Sequence, residues 1–253
     1  MGGGGYTLYT QGNNFKKELF FSVICIAIYF LSLILANIIS NIVIKIPNSI
    51  NALVEILFPV SILILLRKKK LLSYYGLNSL KKLNYKNLLF CIPMIIIPIV
   101  NLCFGIHINY LWQEILLICI TMLGVGFSEE MLFRSFLIRT IANKNSKAAI
   151  VLPSIIFGVV HITNFFGGKD IAMTILQMVY ATSFGFMCSV FFYKTNNIIP
   201  CIICHSATNI TNIFLPNNLP VEYGYVECIV IIVPSAFYAW YLYITKKYLT
   251  KDT

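Results

Sequence analysis

Gly126-Phe127-Ser128-Glu129-Glu130-Met131-Leu132-Phe133-Arg134 sets three charged side chains inside an otherwise apolar run, and the reading of that run decides the fold. Ionisable groups at membrane depth are expensive, so they face a bundle interior or a water-filled cavity and mark a functional site by default. Spacing separates the three. Glu130 and Arg134 stand at i and i+4, the geometry of an ion pair within one helix, whereas Glu129 is rotated by about 100° from Glu130. One carboxylate can be neutralised locally while its neighbour points elsewhere. The competing reading is structural: an ion-pair cluster that joins helices.

The flanking chain supports membrane depth. Of 253 residues 58% are hydrophobic and only 11% charged, with a mean hydropathy of +0.82, outside the range of soluble domains. The expectation is an all-α fold, a polytopic membrane helix bundle. A span needs about 20 apolar residues, and eight runs qualify: roughly 19–44, 50–66, 88–106, 111–141, 148–164, 171–193, 197–214 and 225–245. Pro93 and Pro98 are expected to kink the third. Residues 71–87 read equally well as an amphipathic segment on the membrane surface or as a plain basic loop. Residues 1–14 are Gly-rich and polar, a flexible tail, and 15–253 form a single transmembrane helical domain with a catalytic core at about 110–215.

The net charge of +10 comes from Lys and Arg clustered between apolar runs, which is a topology signal and excludes a nucleic-acid partner. With both termini cytoplasmic, the inner connections hold Lys16, Lys17, Arg67, Lys68, Lys69, Lys70, Lys81, Lys82, Lys86, Arg139, Lys144, Lys147, Lys194, Lys246, Lys247 and Lys251. Lys45 and Lys169 alone fall outside, and Arg134 stays within the membrane. A multi-pass protein of the cell membrane follows. Most cysteines lie singly in apolar segments, where the thiol behaves as a small hydrophobe. Cys201-Ile202-Ile203-Cys204-His205 matches the C-x-x-C-H pattern of haem attachment, but it lies within an apolar helix, and the thiols lack the second C-x-x-C of a zinc site.

Depth sorts the other polar groups. Glu55, Glu114 and Glu227 start near the outer ends of their helices and read as rim residues. Glu129 is about 15 Å from Arg139 at 1.5 Å per residue, His161 about 21 Å from Lys147 and His205 about 16 Å from Lys194. His205 and Asn209 share a helix face at i and i+4. His107, in an outer loop, reads as a solvated histidine. A carboxylate, two imidazoles and a carboxamide in a low-dielectric cavity suit amide hydrolysis. A carboxylate assisted by imidazole can act as general base toward water, and the other imidazole and the Asn amide can donate to a developing oxyanion. Ser128 and Ser206 adjoin these groups in sequence but turn to other faces, and neither G-x-S-x-G nor H-E-x-x-H is present.

Taken in order, Glu129-Glu130-Met131-Leu132-Phe133-Arg134, Phe157 to His161, and His205-Ser206-Ala207-Thr208-Asn209 resemble the E-E-x-x-x-R, F-x-x-x-H and H-x-x-x-N motifs of the CPBP family, membrane endopeptidases also called Abi proteins. The resemblance implies an intramembrane endopeptidase in which Glu129 and His161 activate water, His205 and Asn209 stabilise the oxyanion, and Glu130, Arg134 and Phe157 support the site. No cofactor is expected. The substrate expected is a short peptide or a membrane-protein tail reached from the cytoplasmic side, with the lipid bilayer as the other partner. The Ile, Asn and Lys bias looks like an AT-rich bacterium, which disfavours a prenylated substrate. Three alternatives stand beside this reading: a zinc-dependent version using Glu129, His161 and His205; a non-proteolytic immunity or regulatory protein; and a proton-coupled transporter. The sequence leaves the oligomeric state open.

Overall fold

The computed structural model describes residues 15–45, 49–80, 83, 89, 91–216 and 218–244, so the polar tail at 1–14 and much of 81–90 lie outside the described residues. Among those described the chain is helical without strands, and the helices group into eight. They are α1 (Phe15–Ile44), α2 (Ser49–Lys68), α3 (Ile92–Cys103), α4 (Trp112–Ala142), α5 (Ser146–Val160), α6 (Ile171–Thr195), α7 (Ile199–Ile213) and α8 (Val221–Ile244). A short turn of helix, Thr163–Phe166, follows α5. The fold is a helical membrane bundle. Helices α1, α2, α4, α5 with its appended turn, and α6 are long and apolar enough to cross a bilayer, while α3 is apolar but has only 12 residues.

Local chemistry sets several boundaries. Asn145 caps α5 by accepting from the Ala148 amide, and Asp170 caps α6 by accepting from Ala172 and Met173, each satisfying an amide that the first helical turn leaves without a partner. Pro93 starts α3 rather than kinking it, because the first turn needs no amide donor there; Pro98 lies inside that helix. The fifth run ends at Val160, four residues before the predicted boundary, and His161 is its cap. In 71–87 the described part is turns, not an amphipathic helix. It is pinned to the α6–α7 connection: Asn78 Nδ2 donates to the Asn196 carbonyl at 2.8 Å and the Ile198 amide donates to the Gly76 carbonyl at 2.9 Å.

Helix α4 is the axis of the bundle. It packs on α2 and α7, with α1 against its second half; α6 lies along α5 and α8, and α3 fits between α7 and α8. Large apolar side chains such as Leu31, Ile42, Leu57, Ile99 and Val179 cover the outside, a surface suited to lipid. The two ends differ in charge. One end gathers Lys16, Lys17, Arg67, Lys68, Lys69, Lys70, Arg139, Lys144, Lys147 and Lys194 beside Glu18; the other has Lys45 and Lys169 with Glu114, Asp170, Glu222 and Glu227. Exposed Tyr110, Trp112, Phe166 and Tyr225 ring the second end, as aromatic residues do at a membrane interface.

Candidate active site

The centre of α4 departs from α-helical winding. Met131–Phe136 is a π-wound turn in which the Leu137 amide reaches the Leu132 carbonyl, five residues back, a feature that concentrates at functional sites. All six of its residues are buried. Immediately before it, the predicted ion pair is present: Arg134 Nη1 lies 3.1 Å from Glu130 Oε1, with both side chains fully buried. The guanidinium also sits 4.1 Å from the centre of the Phe157 ring, so the carboxylate and the ring's electron-rich face together balance a charge that has lost its water.

His205 is brought to this pair by a close helix crossing. A Cβ on Gly126 would lie 2.2 Å from Ser206 Oγ and 3.1 Å from the Ser206 amide nitrogen; the absence of a side chain lets α4 and α7 approach, as small residues do in membrane bundles. His205 Nδ1 is then 2.9 Å from Glu130 Oε1, and its Nε2 is 3.6 Å from Glu129 Oε2. An ionised carboxylate only accepts, so Nδ1 carries the proton toward Glu130, and Nε2 faces Glu129. Glu129 remains 14% exposed while Glu130 is sealed. The two adjacent carboxylates therefore occupy different environments.

His161 completes the group from α5. Its Nδ1 lies 2.8 Å from the Phe157 carbonyl, which can only accept, so in the neutral ring Nε2 is left as the acceptor. Phe157 stands between the two imidazoles, edge-on to His161 at 5.1 Å and to His205 at 5.7 Å; Phe184 closes on His205 from α6 at 5.4 Å. Phe157, His161, His205 and Asn209 all line one cavity of about 570 Å³. Its walls add amide and hydroxyl groups from Gln177, Tyr180, Thr208, Asn212 and Tyr223, and apolar surface from Met122, Met173, Leu176 and Ile213.

The sequence reading missed parts of this wall. Asn101 is buried and donates through Nδ2 to Asn212 Oδ1 at 2.7 Å and Thr211 Oγ1 at 3.0 Å, while Tyr223 donates to Asn101 Oδ1 at 3.1 Å. A lone Asn in the apolar run 92–103 was the available signal. Glu55 is not a rim residue: it is 5% exposed and accepts from the Tyr29 hydroxyl at 2.7 Å, because α2 is covered there by α1 and α4. Glu114 does sit at a helix start, accepting from the Leu111 amide at 2.7 Å, and Glu227 Oε1 lies 3.3 Å from the Tyr223 hydroxyl at the cavity wall. His107 is exposed and pairs with Asn109 at 2.7 Å.

Among the described residues the ligand atoms that converge within 4.8 Å are those of Glu130, Cys188 and Cys201, not the Glu129, His161 and His205 set of the zinc alternative. Glu130 is already engaged by Arg134 and His205. Cys201 and Cys204 are buried in α7, with Cys201 directed at the Cys188 carbonyl. Ser128 and Ser206 are buried as well.

Comparison with known proteins adds one match. Residues 111–211 fit the family model of the Rce1-like type II CAAX prenyl endopeptidases, a segment running from the start of α4 nearly to the end of α7. No curated protein and no solved structure matches the chain. The matched segment carries Glu129, Glu130 and Arg134 together with His161, His205 and Asn209, so the part of this multi-pass membrane protein that holds the candidate site is similar to the Rce1-like domain of the CPBP, or Abi, family.

Proposed function

We propose that the protein is an intramembrane endopeptidase that hydrolyses a peptide bond with water activated by Glu129 and His161. The observation that carries this reading is the His205 ring held between a sealed carboxylate at 2.9 Å and a partly accessible one at 3.6 Å, at the inner end of a cavity. Glu130, neutralised by Arg134, fixes the His205 ring without competing for substrate. Glu129, left without an arginine of its own, is the carboxylate available to take a proton from water, and the His161 Nε2 acceptor can orient that water. As the carbonyl oxygen gains charge, the Asn209 amide and the Nε2–H of protonated His205 can donate to it, an arrangement whose members typically contribute about 10²- to 10³-fold each. The proton held by Glu129 or His205 then passes to the departing amine. The reaction needs no cofactor in this scheme.

Purified protein incubated with a mixed peptide pool, with products read by mass spectrometry, tests it. Glu129→Gln, close in size to the native side chain, is expected to abolish cleavage while the protein still folds in detergent, and a strong zinc chelator is expected to leave wild-type cleavage unchanged. Retained cleavage by Glu129→Gln would sink the role of the carboxylate. Loss on chelation would transfer Glu129 and the histidines to metal-ligand roles.

A further inference from the structure

We propose that the cavity is loaded from the extracytoplasmic face, so that the substrates are extended peptide segments presented on that side of the membrane. The proposal rests on the endopeptidase reading for what happens in the cavity, but not for which face it opens to. It departs from the cytoplasmic access expected from the sequence, and the reason is geometric.

From His205 outward the cavity follows three helices to one end of the bundle. On α7 it runs through Thr208, Asn209, Asn212 and Ile213 to Leu215 just beyond the helix; on α6 it runs backward from Phe184 through Gln177 and Met173 to Lys169; on α8 it touches Tyr223 and Glu227 in the first two turns. Eight positions separate His205 from Ile213 at the end of α7, a descent of about 12 Å along the helix axis. All three paths finish where Lys169, Leu215 and the start of α8 meet, beside the aromatic ring of Tyr110, Phe166 and Tyr225.

The other direction is filled. Past the Glu130–Arg134 pair lie Met131, Leu132, Phe133, Phe136, Ile138, Cys188 and Phe191, all between 0% and 2% exposed. This packed layer separates the carboxylates from the end that gathers Arg67, Lys68, Lys69, Lys70, Lys144 and Lys147. Lys and Arg concentrate on the cytoplasmic side of membrane proteins, and here the contrast between the two ends is nearly complete. The closed end is therefore the cytoplasmic one, and the mouth faces out.

The walls indicate what enters. Asn209, Asn212 and Gln177 present carboxamides along the path, and Asn212 is locked by buried Asn101. Carboxamides donate and accept at once, matching the alternating donors and acceptors of an extended backbone, while Met122, Met173, Leu176 and Ile213 give apolar surface for its side chains.

Cysteines introduced one at a time into a Cys103→Ser background, since Cys103 is exposed, test the direction, with the background protein itself as the labelling blank. Lys169→Cys at the mouth, Met173→Cys on the wall, Lys69→Cys at the basic end and lipid-facing Ile175→Cys are treated with a charged, membrane-impermeant maleimide in intact cells and in inverted vesicles. Only a thiol in water ionises and reacts readily. The expected result is labelling of Lys169→Cys and Met173→Cys in intact cells, with Met173→Cys faster than Ile175→Cys by about tenfold or more, and of Lys69→Cys only in inverted vesicles. Labelling of Met173→Cys from the cytoplasmic face, or from neither, overturns the proposal. Labelling requires no turnover, so that failure leaves the endopeptidase reading standing, and outward labelling of a protein that cleaves nothing counts against the endopeptidase reading alone.

Discussion

Arg134 is the most committed residue of the site, a full charge with no exposure, held by one carboxylate and one aromatic face. Removing a single partner from a buried pair leaves the other charge uncompensated and costs about 3–5 kcal/mol, whereas replacing both can be nearly neutral. Arg134→Met alone is therefore expected to destabilise the protein by about 3–5 kcal/mol, and Arg134→Met with Glu130→Gln to recover part of that loss. Thermal unfolding in detergent across the double-mutant cycle checks it; strictly additive losses would mean that the two side chains are not coupled. The double variant should still fail to cleave peptide, because His205 loses the anionic partner that holds Nδ1. At this scale the sequence was informative: the i and i+4 spacing of Glu130 and Arg134 predicted their pairing, and the 3.1 Å contact is there. It could not show that Glu130 is shared with His205, which lies 75 positions away.

At the scale of elements, the crossing of α4 and α7 sets how far His205 stands from both carboxylates. Gly126→Ala would drive its methyl group into Ser206 Oγ at 2.2 Å and press the Ser206 nitrogen and the Ile202 carbonyl at 3.1 and 3.3 Å. Helix α7 must then move away, carrying His205 with it. Misplacement of a catalytic group by about 1 Å can cost on the order of 10²-fold in rate, so Gly126→Ala is expected to lower cleavage by about 100-fold with a smaller effect on unfolding temperature. Adding Ser206→Gly removes the worst contact and should restore part of the rate; peptide cleavage by both variants measures this. The π-wound turn after Glu130 belongs to the same scale. No residue in Met131–Phe136 announces it in the sequence, and in the structure the turn lies against α1, α5 and α6.

For the whole molecule, helix length has a consequence in the bilayer. Helix α3 with 12 residues and α7 with 15 are about 18 Å and 22 Å long, shorter than a hydrocarbon core of about 30 Å. They stand together on the side that carries His205. A bilayer meeting this side must thin locally, at a cost that grows with each ångström of mismatch. Cleavage by protein reconstituted in phosphatidylcholines of short, medium and long acyl chain is therefore expected to fall as the chains lengthen; a rate that rises with bilayer thickness would contradict it.

The sequence by itself determined that the chain is a helical membrane protein, that Glu129, Glu130, Arg134, His161, His205 and Asn209 stand apart from their apolar surroundings, and that the basic residues collect at one end. Those are consequences of composition and of the helical period, both local properties of the chain. Tertiary structure alone decided that His205 lies between the two glutamates, that Phe157 separates the imidazoles, that Glu55 is buried against Tyr29, and that the cavity is closed on the basic side. Each of these depends on which helix faces which and how closely, and that is set by packing between residues distant in the chain.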